Sequence, residues 1–372
     1  MQAATPARLR KQNEQLAEWR SQQWTRRNQS STWLISRARE LDPHARFVRP
    51  PRPARCGWPL GRTTIRLHDG TAHIHGLEHC ASPWACPICT PMIRTERGRD
   101  LRDAIRAWIG QGHGLILLTL TRPHTTDESL THSLNTINTA WGKITGSHAW
   151  RALRQQDMFT HWVRSTEITW NPDHGWHAHL HVLLFTDDPT PSTTAIRTTV
   201  IGLWNDAMTA LGEQRPSRRR GIDVTIIDQH PELIGDYLTK PPDHHDIASE
   251  ITRGDNKHAR KKNGINPFQL LDPSTRARIG EGTCKRLWIE YVESTRGRRS
   301  ITWSRNLRAS LLATREKTDE QIINANVNAD DIIFLPPALY RRLKRQPTLL
   351  AAVLDKTSTG EIPLAIELAN LA

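Results

Sequence analysis

The sequence predicts an α+β fold in which an antiparallel sheet carries helices on one face. Three observations support this prediction. Runs of apolar and β-branched residues with the length of strands recur between residues 114 and 228, beginning with "GLILLTLT". Segments with helical spacing separate these runs. Two of the runs, "HWVRSTEITW" and "WHAHLHVLLF", are joined by the turn signal "NPDHG" and therefore predict a hairpin.

The elements of this region follow one another in a recognisable order. The first strand precedes a helix that Asp127 is expected to open, with apolar residues at helical spacing: Leu130, Leu134, Ile137 and Trp141. After the hairpin come a helix in "TPSTTAIRTTVIGLWNDAMTAL", a strand in "GIDVTIID" and a short helix in "HPELIGDYLTK" that Pro241 ends. This βαββαβ order is that of a ferredoxin-like or RRM-like sheet.

The rest of the chain divides by composition into further segments. We expect a basic N-terminal helix near Ala7–Arg27, followed by a linker, in residues 1–50. Residues 51–110 are rich in Cys, His, Gly and Pro and predict a small zinc-binding unit. The sheet domain is then assigned to residues 111–245, and a mixed C-terminal region that could bind DNA to residues 246–372.

The chain is strongly basic, since 51 Lys and Arg residues against 38 Asp and Glu residues give a net charge of +13. Such an excess favours a polyanionic partner, with nucleic acid first and an acidic membrane surface as the alternative. No apolar run is long enough for a membrane span or a signal peptide, so neither is expected. Three basic runs favour contacts with the DNA backbone: "RPSRRRG", "HARKKNG" and "RGRRS".

Three histidines alternate with other residues in "GWHAHLHVLLF". On a strand, residues i and i+2 lie about 6.6 Å apart on one face, and residues i and i+4 about 13 Å apart. His177, His179 and His181 therefore cannot all hold one ion. Bulky Leu180 suits a buried strand centre better than Ala178 does, which favours His179 and His181 as the ligands. His177 would then lie nearer the turn, where it could contact substrate.

The hairpin also offers a carboxylate. A turn centred on Asp173 places Glu167 opposite His179, at a cross-strand distance of about 5 Å. Two imidazoles and one carboxylate on one ion leave positions open for water or a phosphate oxygen. The alternative is that these histidines only decorate a solvated sheet face.

A candidate nucleophile follows in "DYLTK". Tyr237 and Lys240 share one helix face, and the Lys ammonium would offset negative charge while the Tyr hydroxyl attacks a phosphate. Asp236 and Glu232 could take the hydroxyl proton or activate a water. The alternative is that Tyr237 packs on the sheet and Lys240 lies near the helix C-terminus as an exposed cap.

Three of the five cysteines fall within ten residues of one another: Cys80, Cys86 and Cys89. The Cys-x-x-Cys spacing of the last two lets one loop present two thiolates to Zn²⁺. Cys56 would complete a tetrahedral set, in competition with His73, His75 and His79. Four protein ligands leave no open position, so the site would be structural. A redox dithiol is the alternative.

Together these segments resemble the HUH endonucleases, named for a His, a bulky hydrophobic residue and a His. More narrowly, the chain resembles the rolling-circle replication initiators of actinobacterial-type plasmids, over roughly residues 50–310. The resemblance rests on "LTLT", on the hairpin "STEITWNPDHGWHAHLHVLLF", on "DYLTK" and on the cysteine-rich segment ahead of them.

The resemblance implies a bacterial, cytoplasmic enzyme that nicks and rejoins plasmid origin DNA, in single-stranded or hairpin form. It implies Mg²⁺ or Mn²⁺ at the hairpin, a structural Zn²⁺, a 5′-phosphotyrosine at Tyr237, and host helicase and polymerase as partners. Related initiators place a Glu one helical turn before the Tyr. This chain has Leu233 there, so the acid stays open between Glu232 and Asp236.

Two other functions fit the same sequence. A single-tyrosine relaxase or transposase would share the fold and the nucleophile. A zinc-dependent DNA-binding regulator would share the basic charge and the cysteines but would have no catalytic activity.

Overall fold

The computed structural model describes residues 6–68, 70–156, 159–189, 192–217, 219–227, 264–325 and 330–372. Its strands are β1 (Pro59–His68), β2 (Thr71–Leu77), β3 (Gly114–Leu120), β4 (His161–Asn171), β5 (Gly175–Thr186), β6 (Ile222–Ile227), β7 (Ile301–Trp303) and β8 (Asp331–Leu335). Its first helices are α1 (Pro6–Leu41), α2 (Arg52–Arg55), α3 (Cys89–Ile109), α4 (Leu130–Gly146), α5 (His148–Gln155) and α6 (Thr193–Ala210). The later ones are α7 (Pro273–Ile279), α8 (Glu281–Thr295), α9 (Leu307–Leu312), α10 (Asp319–Ile323), α11 (Pro337–Leu343), α12 (Pro347–Ser358) and α13 (Ile362–Asn370).

The chain forms two compact units. Unit 1 comprises Met1–Met92, Leu271–Ile289 and Thr318–Ala372, and unit 2 comprises Ile93–Leu270 and Glu290–Lys317. Every helix in the described part of the chain is too short or too polar to cross a bilayer.

Unit 2 contains a five-stranded sheet in the order β6-β3-β5-β4-β7. All of its neighbouring strands run antiparallel. The predicted succession of strands and helices from Gly114 to Ile227 is confirmed, with the short helix α5 added between α4 and β4. The α+β class and the antiparallel sheet are therefore as the sequence predicts.

Helix α4 packs on one face of this sheet with the predicted apolar residues, all of them buried: Leu130, Leu134, Ile137 and Trp141. The prediction that Asp127 opens this helix is wrong. Ser129 is the N-cap, and its side chain accepts a hydrogen bond from the backbone N–H of His132. Either residue type caps well, and the helix begins at the one nearer its first apolar position.

The sequence placed helices on one face of the sheet, but the structure has a helix on the other face as well. Leu101 and Ile105 of α3 form a core with apolar residues of the strands, including Leu115 and Leu183. Side chains alternate between the faces of a strand, so the face that buries Leu183 also carries His181. One face thus changes along β5 from an apolar core to a polar site.

Unit 1 contains a three-stranded sheet in the order β2-β1-β8. Ile65 of β1 packs in a core with Leu335 of β8 and with Leu350 and Leu354 of α12. The N-terminal helix α1 is also longer than predicted and runs to Leu41. Its buried Trp24 belongs to the same core.

Candidate metal centres

The β4–β5 hairpin positions the first candidate site. Its strands pair in the predicted register, with Glu167 opposite His179 and Asn171 opposite Gly175. At the turn, the Asn171 side chain accepts a hydrogen bond of 2.8 Å from the backbone N–H of Asp173. Gly175 has a φ of +73°, and a Cβ there would meet the Thr126 carbonyl oxygen at 2.8 Å. A glycine is therefore required at the point that sets the register.

Three side chains of the hairpin converge on one point. Oε2 of Glu167 lies 3.0 Å from Nε2 of His179 and 2.8 Å from Nε2 of His181. The two Nε2 atoms lie 3.1 Å apart. All three residues are buried, with exposed fractions of 5–9%. The structure thus brings together the three residues that the sequence selects for a divalent ion.

Hydrogen bonds alone do not account for this triangle. If the carboxylate is ionised, the contact between the two imidazoles needs one Nε2 to act as the acceptor. That unprotonated Nε2 would then face the carboxylate oxygen without a proton between them. A cation at the centre satisfies all three atoms at once. Cis ligands of an octahedral ion at about 2.1 Å lie about 3.0 Å apart, as these three atoms do.

A threonine on the neighbouring strand supports this site. Thr119 of β3 pairs with His181, and its hydroxyl lies 3.1 Å from Nδ1 of that ring. A hydrogen bond from the Nδ1–H to Thr119 leaves Nε2 of His181 unprotonated, as a metal ligand requires. The "LTLT" strand was predicted, but not this role of its threonine. The cross-strand register with His181 is the signal that would have found it.

His177 lies beside the three convergent residues. Its ring centroid is 5.0 Å from that of His179, and its Nδ1 lies 3.0 Å from Nε2 of His124. Burial is the main cause that lowers the pKa of His124. His124 was not predicted, because it lies in the loop after β3, where no strand periodicity points to it.

The second candidate centre is a cluster of four buried thiols in unit 1: Cys56, Cys80, Cys86 and Cys89. Sγ of Cys56 lies 3.4 Å from Sγ of Cys86 and 3.6 Å from Sγ of Cys89. These separations are close to the edge of about 3.8 Å expected for four thiolates around tetrahedral Zn²⁺. Of the competing histidines, His79 comes nearest, with Nδ1 3.7 Å from Sγ of Cys89.

Electrostatics in this cluster favour the thiolate form at part of the set. The hydrogen bond from Cys80, aided by Cys89, lowers the pKa of Cys56 to about 7. The pKa of Cys80 rises well above its ordinary value, chiefly through its bond to Cys56. A thiolate is the form of cysteine that binds metals, so the cluster has the chemistry of a metal site.

The backbone around Cys56 is held from two sides within unit 1. Arg27 of α1, which is buried, donates from Nε to the Cys56 carbonyl oxygen and from Nη2 to that of Ala54. The Tyr340 hydroxyl donates a hydrogen bond of 2.9 Å to the Gly57 carbonyl oxygen. Cys56 is therefore fixed by these long-range contacts as well as by its own backbone N–H, which donates to the Arg52 carbonyl oxygen.

A third group with ligand-type atoms is an ion-pair network. Oε1 of Glu213 lies 2.7 Å from Nε2 of His132. The buried guanidinium of Arg122 pairs with both Glu213 and Glu128. Because the Arg122 guanidinium already pairs with both carboxylates, this group does not resemble the hairpin site.

Comparison with known proteins found a matching family model and two curated relatives. Residues 71–191 match the family model described as "Replication protein". Over that segment, about a third of its length, the chain is similar to this family. The matched segment contains the hairpin triad and three of the clustered cysteines. It leaves out Cys56 and ends just before helix α6 begins.

Two curated relatives come from Streptomyces. "Protein rep" of Streptomyces lividans is 25% identical to this chain, over 65% of each of the two proteins. "Neomycin resistance protein" of Streptomyces cyanogenus is 22% identical, over 45% of this chain and 43% of that one. The chain thus spans less than two thirds of the length of either relative. No solved structure matches it.

The predicted nucleophile segment lies outside the described residues. This applies to Tyr237, Lys240, Asp236 and Glu232, and to the basic run "HARKKNG" except for its last residue. Within the described basic runs, Arg215 donates to the Thr209 hydroxyl and Arg298 donates to Asn135.

Proposed function

We propose that this replication protein is a plasmid rolling-circle initiator that nicks and rejoins DNA at its origin. The observation that carries the proposal is the buried triangle of Glu167, His179 and His181. Its three ligand atoms would hold one side of a cation and would leave the other positions for substrate. A metal centre open to a phosphate, in a basic replication protein, fits phosphodiester chemistry.

The mutual distances of the three ligand atoms fit an octahedral divalent cation of the size of Mg²⁺ or Mn²⁺. When bound, such an ion would polarise a phosphate oxygen as a Lewis acid. The residues of the chain would do the rest. The Thr119 hydroxyl, 3.1 Å from Nδ1 of His181, would hold the tautomer of that ring.

In the proposed reaction, the Tyr237 hydroxyl oxygen attacks the scissile phosphorus and the bond from phosphorus to the 3′-oxygen breaks. The hydroxyl proton passes to Asp236 or Glu232, and the departing 3′-oxygen takes up a proton. Lys240 offsets charge on the phosphate. The 5′-phosphate stays joined to Tyr237, so the energy of the phosphodiester is retained and a later 3′-hydroxyl can reverse the transfer. A host polymerase would extend the freed 3′-end while a host helicase unwinds the duplex.

For the thiol cluster we propose a structural Zn²⁺. The four sulfur atoms occupy all positions of a tetrahedral ion and leave none for substrate. The nearby carbonyl oxygens of Cys56 and Gly57 are both held by buried side chains, which suits a site that stabilises unit 1.

A covalent-adduct assay tests the proposed nucleophile. Wild-type protein, Tyr237→Phe and Tyr291→Phe are incubated with labelled origin oligonucleotide and Mn²⁺. Tyr291 is a matched control because it is buried and loses the same single hydroxyl. We expect an adduct with wild type and Tyr291→Phe, and none with Tyr237→Phe. An adduct with Tyr237→Phe would show that another residue attacks. Binding without nicking by wild type would favour a non-catalytic regulator.

A further inference from the structure

The outer side of the unit 1 sheet carries an exposed aromatic ring beside a cation. Phe334 of the edge strand β8 keeps 53% of its surface exposed. The guanidinium of Arg62 on β1 lies 5.8 Å from the centre of this ring. Its side chain is 71% exposed and also pairs with Asp331 at 3.3 Å. Together with Gly61 and Pro337, these residues line a shallow surface hollow. A single exposed ring is common on protein surfaces, but this one lies against an exposed guanidinium.

A row of arginines leads away from this hollow along α11. Pro337 and Arg341 are four residues apart and therefore share one helix face, about 6 Å apart along the axis. Arg345 follows four residues later, just after the helix ends. Arg341, Arg342 and Arg345 are all exposed, and none has a carboxylate partner within the described part of the chain.

The positive charges of this row also act on the neighbouring Lys344, as a smaller contribution than burial. Burial, and then the positive charges of Arg27, Arg345 and Arg341, lower the pKa of Lys344 to about 8. Cations placed near a helix C-terminus are favourable one at a time, but four within five residues exceed what the helix dipole offsets. A polyanion would relieve this repulsion.

We propose that the surface formed by Arg62, Phe334, Arg341 and Arg345, which we call the β8–α11 surface, binds single-stranded DNA. The arginines would contact successive phosphates, and a base would stack on Phe334. This combination of a cationic track and an aromatic platform is how single strands are bound without sequence preference. A duplex offers its phosphates but keeps its bases stacked internally, so it has no use for the exposed ring.

The choice of single-stranded DNA rests on the proposed function, because rolling-circle replication displaces a single strand. The surface itself belongs to unit 1 and shares no residue with the hairpin triad. Binding can therefore be measured on an oligonucleotide without an origin, where no nicking is required.

Fluorescence anisotropy of the full chain with labelled oligo-dT tests the arginine row. The variant Arg341→Gln/Arg345→Gln is compared with the control Arg46→Gln/Arg49→Gln, which removes two exposed arginines of unit 1 elsewhere. We expect the slope of log affinity against log salt to fall by about 1.4 in the first variant only, for two lost phosphate contacts. An equal fall in both variants would overturn the proposal. Thermal unfolding confirms that each variant is folded.

The ring is tested with Phe334→Ala, Phe334→Tyr and the control Phe47→Ala, which removes a ring that is 81% exposed. We expect Phe334→Ala to weaken oligo-dT binding roughly tenfold without changing the salt slope. Phe334→Tyr should bind as wild type does, and duplex binding should not change. If Phe334→Ala has no larger effect than Phe47→Ala, or weakens duplex binding equally, the single-strand assignment is wrong.

These outcomes are separable from failure of the proposed function. If wild type never nicks origin DNA but shows the predicted variant pattern on oligo-dT, the β8–α11 surface stands and the nicking proposal falls. Tighter binding of polyglutamate than of an oligonucleotide of equal charge would instead indicate an acidic protein partner and would overturn the surface proposal.

Discussion

The two candidate metal centres differ in how completely the protein surrounds them. The thiol cluster in unit 1 offers four sulfur atoms of one kind, all buried, which would close a tetrahedral shell. The hairpin triad in unit 2 offers one oxygen and two nitrogen atoms at octahedral cis spacing, which would leave half of the shell open. The number and type of donor atoms therefore separate a site suited to stability from one suited to chemistry.

The largest effect that we expect is a loss of nicking activity when a residue of the hairpin triad is replaced. His181→Ala and Glu167→Gln should each reduce Mn²⁺-dependent nicking by about a thousandfold, because each removes a ligand of the open centre. His148→Ala, at an exposed histidine of unit 2, is the control and should leave nicking unchanged. Single-turnover rates on an origin oligonucleotide measure this. Retention of nicking by both triad variants would mean that the open centre is not catalytic.

Loss of a ligand from the thiol cluster should instead lower the stability of the protein. Cys86→Ser should lose bound Zn²⁺ and lower the thermal midpoint by roughly 10 °C, which corresponds to about 4 kcal/mol in a unit of this size. Cys284→Ser is the control, since Cys284 is buried outside the cluster. Metal analysis should find zinc retained in that control. A Cys86→Ser protein with full zinc content would show that the thiol cluster does not hold the zinc.

A smaller effect on Mn²⁺ binding is expected at Thr119, which contacts His181 of the triad. Thr119→Val removes the acceptor of the His181 Nδ1–H and should weaken Mn²⁺ binding about 10- to 100-fold. Thr119→Ser keeps the hydroxyl and should bind as wild type does. Titration of nicking with Mn²⁺ distinguishes them, because excess metal should restore the rate of Thr119→Val. A rate that stays low at saturating Mn²⁺ would indicate a role for Thr119 other than holding the ligand.

The smallest effect is expected at His124, which contacts His177 and not the triad. His124→Ala should leave the Mn²⁺ dependence of nicking unchanged and lower the rate by less than about tenfold. The same Mn²⁺ titration measures both quantities. A shift in the Mn²⁺ requirement as large as that of Thr119→Val would place His124 among the groups that hold the metal.

Local patterns predicted much of unit 2. Strand alternation, helical spacing and the turn signal around Asp173 predicted the βαββαβ order and the register that puts Glu167 opposite His179. These features depend on residues that are close in sequence, where geometry has a fixed period. The face covered by α3 was missed because the helix precedes the sheet in the chain, and its apolar positions do not show which face they cover.

Unit 1 shows where sequence patterns fail. β8 pairs with β1 across more than 260 residues, so that Phe334 lies beside Thr64. No local period encodes such a pairing, and the C-terminal region was accordingly predicted only as mixed. Thr119 and His124 were missed for a related reason, since each gains its partner through a contact between segments that are distant in sequence.

The most direct test of the account is metal-dependent capture of DNA by the open centre. An origin oligonucleotide labelled at its 3′-end is incubated with wild type, His179→Ala/His181→Ala and Cys86→Ser, with Mn²⁺ or with EDTA, and run on a denaturing gel. We expect a covalent adduct with wild type and Mn²⁺, none with EDTA or the double-histidine variant, and an adduct with Cys86→Ser below its melting temperature. An adduct of equal yield with the double-histidine variant would contradict it.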